Sequence, residues 1–458
     1  MRILVIRLRS IGDMLLSTPA ISLLAKHIPD SRITVLSEAL SAPMVQNHGS
    51  VHSVMVLDRK ALKSKTSGLK RLMADFSMAS WLSSADFDMV VDLYGGPRSA
   101  AMSLMTGSPL RIGFQKRWRS CFYTHAFPEA TGFHTVAINL NLAMEAIRIH
   151  GSGGQSSDNP VSPQSPQSLQ SPHGTEGLNG SGHWTPVKNP LVLPLRPVDI
   201  HNAGRALSPF ISLTSGVSES RTMDLFNGFF CGSEFESIPD SVCGGDTPCS
   251  GGSAFSNHSI SGLRERLFKK TGFSYCVIHG GARFAHTKGW PTERFTELAR
   301  RVHSEYGLFP ILVGTSDEAD ILRSFVLELE KRNISYLNLA GRLELGGLAA
   351  LCSGASLFIG NDSGPMHIAA SQNCPVVGLF GPSDPVRWGP WSSRGKVVTA
   401  GLSCSPCPQI NCATGRGCMA EISIDMAWKV VAEAMNEANS EVTNEVTTEK
   451  QSSGEGNG

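Results

Sequence analysis

No run of about 20 uncharged apolar residues occurs in the 458-residue chain, so no helix is expected to span a bilayer. Net charge is almost absent as well. With 40 Lys and Arg against 39 Asp and Glu, the formal charge is +1, which removes the whole-chain electrostatic case for a dedicated nucleic-acid binder. Charged residues make up only 17%, while Gly (46) and Pro (26) are generous, a balance that points to loop-rich segments inside a folded protein. A secretory leader is missing too. The opening MRILVIRLRSIGDML is interrupted by Arg7, Arg9 and Asp13 and is followed by no small-residue cleavage site. It reads instead as the buried first strand of a cytoplasmic protein. The glycine fingerprint of dinucleotide binding is absent from the first loop, which weakens a dehydrogenase reading.

What is present is an alternation of strand-like and helix-like segments. Arg2 to Leu8 is a near-continuous apolar run, as a central parallel strand requires. Met14 to His27 has helical spacing, with Pro19 expected to kink or delay it. Strands are expected at Ile33–Ser37, Val54–Leu57 and Met89–Leu93. This order implies an α/β, Rossmann-like domain over 1–150. From Gly151 to Val187 the chain is rich in Ser, Pro, Gln and Gly, a composition that cannot offset its own ordering entropy. With the irregular stretch Ser215–Ser261, it makes 151–262 a flexible linker and insertion around a short structured stretch near 189–214. The α/β rhythm returns over 263–438. Strands are expected at Tyr275–Ile278, Phe309–Val313, Leu357–Ile359 and Val376–Phe380, and helices at Thr292–Tyr306, Glu318–Lys331, Ser363–Gln372 and Asp425–Ala438. Residues 439–458 read as a disordered tail.

Three loops carry the chemistry. The first is Ser10-Ile11-Gly12-Asp13, where strand one gives way to a helix, the usual ligand edge of an open parallel sheet. Gly12 lets backbone pass close beneath a ligand. Asp13 either caps the helix or takes a proton from a hydroxyl nucleophile. The second is His279-Gly280-Gly281-Ala282-Arg283, followed by Lys288. The N–H groups around Gly281 and Ala282 and the Lys288 cation suit an anionic phosphate, where the bland alternative is an ordinary glycine-rich loop. The third is Gly360-Asn361-Asp362-Ser363-Gly364-Pro365-Met366-His367. Ser363 is placed to cap the helix, Gly364 permits close approach and Pro365 suits a first turn. A departing diphosphate would sit over such a start, with Asp362 on sugar hydroxyls and His367 one turn in. A capped helix with a structural histidine is the alternative.

Taken in order, "RLRSIGDMLLSTPAI", "VIHGGARFAHTKGWPTERF" and "LFIGNDSGPMHIAASQNCPVVGLFGPSDPVRWGP" resemble the bacterial ADP-heptose:lipopolysaccharide heptosyltransferases of glycosyltransferase family 9. The resemblance covers roughly 1–150 and 263–436. It implies a GT-B fold, two Rossmann-like domains facing across a cleft, the first for the acceptor and the second for the nucleotide sugar. It implies Asp13 as the general base, Lys288 on the phosphates, and Asp362, Ser363, Gly364 and His367 in the donor motif. By the same resemblance Glu318 holds the nucleotide ribose, and Arg98, with Gly12, lies on the acceptor side.

The implied reaction is inverting transfer of a heptose from ADP-heptose to a lipopolysaccharide core acceptor. No cofactor is called for, and no Asp-x-Asp motif at a strand end asks for a catalytic metal. The implied partners are the nucleotide sugar, a lipid-linked core acceptor and the inner face of the inner membrane, without nucleic acid. Two other readings share the fold: a GT-B nucleotide-sugar 2-epimerase, and a non-catalytic nucleotide-sugar-binding assembly protein. Of the 11 cysteines, Cys404, Cys407, Cys412 and Cys418 fall within fifteen residues. Their spacing leaves a structural metal and reduced or redox-labile thiols both open.

Overall fold

The computed structural model describes residues 1–57, 79–152, 273–281, 285–407, 412 and 417–454, and, of 190–207, all but 192, 197, 200, 201 and 204. The chain divides into two compact units, Met1–Leu193 and Pro194–Gly458.

The first unit is built on β1 (Arg2–Ile6), β2 (Arg32–Glu38), β3 (Ser53–Leu57), β4 (Met89–Asp92), β5 (Leu110–Phe114) and β6 (His125–Phe127). All are parallel, in the order β3-β2-β1-β4-β5-β6. Parallel strands need helical crossovers, which cover both sheet faces. That is why Ile3 to Ile6 are apolar without alternation and wholly buried. The run Met14–His27, expected as one helix, is two: α1 (Ile11–Leu15) and α2 (Thr18–His27). Pro19 is the cause. It stands in the first turn of α2, where its missing N–H costs no hydrogen bond. Here α3 (Pro97–Met105) follows β4, and α4 (Thr135–Gly151) closes the described part of the unit.

The second unit repeats the plan with β7 (Tyr275–His279), β8 (Phe309–Leu312), β9 (Leu337–Asn338), β10 (Leu357–Asn361), β11 (Val376–Phe380) and β12 (Gly395–Thr399). Read from β9, the order is β9-β8-β7-β10-β11-β12, again all parallel. Both sheets therefore reverse direction between their first and fourth strands, β1 with β4 and β7 with β10. In open α/β sheets this switch point is where ligands bind.

The helices are α5 (Ala285–Lys288), α6 (Thr292–Tyr306), α7 (Ala319–Lys331), α8 (Leu345–Ser353), α9 (Gly364–Ser371), α10 (Pro385–Trp388), α11 (Gly417–Glu421) and α12 (Ile424–Gly454). On α6, Phe295, Leu298, Ala299 and Val302 form one buried stripe, and the helix stops at Gly307, whose φ of +65° no other residue adopts cheaply. One expectation needs correction: residues 439–454, assigned to a disordered tail, continue α12. The segment holds no proline, and no glycine before Gly454, so nothing local stops the helix. Most of the expected linker, 153–189, and the irregular stretch 215–261 lie outside the described residues.

Candidate active site

Past the end of β1 the chain crosses Ser10, a non-glycine residue held at φ +68°. A left-handed serine costs about 1–2 kcal/mol, and here it sets the direction of the turn. Ser10 is the cap of α1, and its Oγ accepts from the Asp13 N–H at 3.4 Å. Asp13 is therefore not the cap, which settles one of the two readings of that residue. Its carboxylate is held instead by Arg7, whose Nη2 donates to Oδ1 at 2.9 Å. Arg7 is buried and also donates from Nη1 to the Leu93 carbonyl at the end of β4. The guanidinium thus ties Asp13 to the switch point of the first sheet. Among the described residues nothing binds Asp13 Oδ2. Gly12 is buried within α1.

Arg98 is the second residue of α3, directly beyond β4, and is half-buried. Because Ile6 pairs with Asp92 in parallel register, Asp13 and Arg98 leave the sheet at the same edge. Sequence reasoning missed what organises this edge. Asp92 is fully buried and accepts from the N–H groups of Tyr94 (2.9 Å) and Gly95 (3.0 Å) and from the Tyr123 hydroxyl (2.6 Å). Burial raises its pKa against the pull of those donors. The signal was a carboxylate ending the apolar strand "MVVD".

In the second unit, Asn361 ends β10 and staples the neighbouring loop. Its Nδ2 donates to the Gly280 carbonyl at 2.9 Å, and its Oδ1 accepts from the Trp290 N–H at 3.2 Å. The next residue, Asp362, pairs with Lys288 through Oδ2 and Nζ at 2.7 Å. Both are largely sheltered, with 12% and 29% of their side chains exposed. Ser363 stands at the cap position of α9 but makes no capping bond, contrary to the role expected of its hydroxyl. Its hydroxyl donates to the Asn361 carbonyl at 3.0 Å and accepts from His279 Nδ1 at 3.1 Å. The other ring nitrogen of His279 lies 3.4 Å from Glu318 Oε2.

Glu318 immediately precedes α7 and also takes the Thr315 N–H at 2.8 Å. Burial would raise its pKa, but the His279 and Thr315 contacts outweigh that and lower it. Gly281 lies against this carboxylate: a Cβ there would stand 2.0 Å from Glu318 Oε1. Gly281→Ala is therefore expected to drive Glu318 off His279, at a cost of about 1–3 kcal/mol for an overpacked site. A thermal melt reads this as a lowered Tm, and a Tm equal to the parent's would show that the close approach is not needed.

Gly281, Lys288, Glu318, Asp362 and Ser363 thus gather at the ends of β7, β8 and β10, linked through His279 and Asn361. Gly364 opens α9, and His367 is buried on that helix. Ala282 and Arg283 lie outside the described residues, as does the side chain of His286. His279 and Asn361, which hold the cluster together, left one signal in the sequence: polar residues closing the apolar strands "YCVIH" and "LFIGN". Cys404, Cys407, Cys412 and Cys418 are free thiols, the last raised in pKa by burial. Among the described residues no three His, Cys, Asp or Glu side chains are arranged to hold a metal ion.

Comparison with known proteins agrees with this geometry. The sequence profile of "Glycosyltransferase family 9 (heptosyltransferase)" matches residues 76–175 and 257–416, more than half of the chain. Lipooligosaccharide heptosyltransferase 2 of Campylobacter jejuni is 27% identical over 172 residues, 37% of this chain and 53% of that protein. The chain thus spans about half the length of this curated relative. A glycosyl transferase family 9 protein from Veillonella parvula superposes with a TM-score of 0.62 at 19% identity, covering 95% of this chain and 97% of that one. E. coli ADP-heptose lps heptosyltransferase II gives 0.59 at 18%, covering 96% and 100%. The solved structures establish the fold, two parallel α/β sheets of the GT-B class. The profile match establishes the family: this chain belongs to glycosyltransferase family 9, the heptosyltransferases.

Proposed function

We propose that this chain transfers a heptose from ADP-heptose to a lipopolysaccharide core acceptor, with inversion at the anomeric carbon. The observation that carries the reading is the placement of the motif residues. In each unit they stand at the switch point of a parallel sheet, with a carboxylate in the first (Asp13) and a Lys-bearing cluster in the second (Lys288, Glu318, Asp362). Family membership supports the choice of donor and acceptor.

Asp13 accepts the proton of an acceptor hydroxyl as that oxygen attacks the anomeric carbon from the face opposite the diphosphate. Arg7 fixes Oδ1 and leaves Oδ2 for the incoming proton. The bond to the diphosphate breaks as the new one forms, through an oxocarbenium-like transition state akin to that of inverting glycosidases. Charge then grows on the leaving ADP. Lys288 meets that charge together with the start of α9, a preorganised electrostatic stabilisation. Asp362 takes sugar hydroxyls, Glu318 takes the ribose, and Arg98 meets anionic groups of the acceptor. The acceptor is lipid-linked, so the reading places the protein peripherally on the cytoplasmic face of the inner membrane. No described helix is long and apolar enough to cross it.

The test is incubation with ADP-heptose and a core acceptor, followed by mass spectrometry of the acceptor. A mass increase of one heptose, dependent on ADP-heptose, is expected. Release of free heptose with no acceptor product, or a changed sugar nucleotide without acceptor, would overturn the reading.

A further inference from the structure

The turn between β5 and β6 carries a feature that neither the donor nor the acceptor chemistry uses. Arg117–Phe122 forms a 3-10 turn with Trp118 at its apex, 62% exposed. Arg117 beside it is exposed and held at φ +40°, a left-handed conformation that a long side chain adopts only at a cost.

The base of the turn is rigid. Tyr123 is fastened by its hydroxyl to buried Asp92, and its ring lies so close to Gly113 that a Cβ there would stand 2.4 Å from it. Arg119 Nη1 donates to the Gly95 carbonyl at 3.0 Å, and the Lys116 N–H to Ser120 Oγ at 3.1 Å. The Trp118 ring is steadied edge-to-face on Phe122, 5.7 Å between centroids. A frame this well tied would let an apolar ring fold inward, yet it holds the ring out.

Charge surrounds it with one sign. Lys116, Arg117 and Arg119 flank Trp118, and from Phe114 to His125 the chain has no Asp or Glu. Only Lys116 meets a carboxylate, Glu129 at 2.5 Å. The turn also lies at the edge where the acceptor residues stand: β5 runs parallel to β4, and α3, which carries Arg98, packs against the turn.

We propose that this turn is a lipid-docking surface, which seats the first unit on an anionic bilayer with Trp118 in the headgroup region and Arg117 and Arg119 on lipid phosphates. Tryptophan favours the membrane–water boundary, and each cation near an anionic surface adds to the attraction. A single turn is too small for a stable protein partner, which needs an interface on the order of 1,000 Å². One aromatic wedge with adjacent cations is enough for reversible lipid contact. The proposal rests on the reading that the acceptor is lipid-linked, which gives docking at this edge its purpose.

The test is co-sedimentation of the full chain with vesicles of phosphatidylglycerol and phosphatidylcholine, and of phosphatidylcholine alone, both without acceptor. The parent is expected to bind the first and not the second, so that headgroups of the bilayer, and not phosphates of an acceptor, are the ligand. Trp118→Ala and Arg117→Glu are each expected to lower binding about tenfold, while Trp118→Phe, which keeps an aromatic ring, retains most of it. Melting temperatures check that the variants are folded. A second arm separates this proposal from the assigned activity. With a delipidated acceptor, Trp118→Ala is expected to transfer heptose as the parent does, and with a vesicle-embedded acceptor more slowly. If neither protein transfers but the vesicle binding differs as stated, the assigned activity fails and the surface stands. Equal vesicle binding by parent, Trp118→Ala and Arg117→Glu, or no binding by the parent, would overturn the proposal. So would Trp118-dependent capture of a protein partner without lipid binding.

Discussion

Asp13→Asn is expected to lower the turnover of heptose transfer by roughly 10²–10⁴-fold, the usual worth of a positioned base, with little change in affinity for ADP-heptose. Asparagine is chosen because it separates chemistry from scaffold. Asp13→Ala would remove the only carboxylate on buried Arg7 and leave an uncompensated guanidinium. Such a loss costs roughly 3–5 kcal/mol in a fully buried pair, and less here, because 21% of the Asp13 side chain is exposed. The asparagine oxygen still accepts from Arg7 Nη2 but takes no proton at neutral pH. Single-turnover kinetics with saturating donor reads the chemical step, and calorimetry reads donor binding. Parental turnover with weakened donor affinity would move Asp13 from the base to the donor site.

The second large effect is expected at the Lys288–Asp362 pair. Lys288→Ala removes a cation from the diphosphate and also leaves the Asp362 carboxylate, 2.7 Å from Nζ in the parent, facing that anion alone. Loss of a charge-assisted contact of about 1.5–3 kcal/mol corresponds to roughly 10–100-fold in donor affinity, and the unmasked carboxylate adds to it. Asp362→Ala acts with a different sign on the two halves of the donor. It removes a partner for sugar hydroxyls, but it also removes a negative charge and frees Lys288. ADP-heptose is therefore expected to bind more weakly to this variant, and ADP as tightly as to the parent or more so. The double variant is expected to lose less ADP affinity than Lys288→Ala alone, since no carboxylate is then left unmasked. Calorimetry with ADP and with ADP-heptose checks each of these. Parental affinity of both single variants for both ligands would place the diphosphate elsewhere.

The strands and loops that hold these groups were legible because the physics is local. Central parallel strands are apolar without alternation, so β1, β7, β10 and β11 stand out, and the polar residues after them mark the ligand edge. The stripe on α6 and the glycine after it gave that helix both ends. By contrast, α4 buries Thr135 to Leu140 without a break, so no 3.6-residue stripe announces it. In α8, Gly346 and Gly347 argue against a helix that packing nevertheless forms.

At the site, Asp13, Lys288, Asp362 and Glu318 could be named from their places in the chain. Their partners could not, because partners depend on the path of the backbone. Arg7 reaches Asp13 only because Ser10 turns with a positive φ. His279 joins Glu318 to Ser363 across 84 residues of chain on one side and 39 on the other, a contact no spacing rule contains. Asn361 likewise acts by stitching β10 to the loop after β7, a role visible only once those strands are neighbours.

The central claim is that Asp13 drives an inverting transfer from ADP-heptose. It is tested most directly by the anomeric configuration of the heptose in the product, measured by NMR on acceptor treated with the parent and with Asp13→Asn. The account requires the configuration opposite to that of the donor in the parent product, and no product above background from Asp13→Asn in the same time. Retained configuration, or the same product formed by Asp13→Asn at the parental rate, would contradict it.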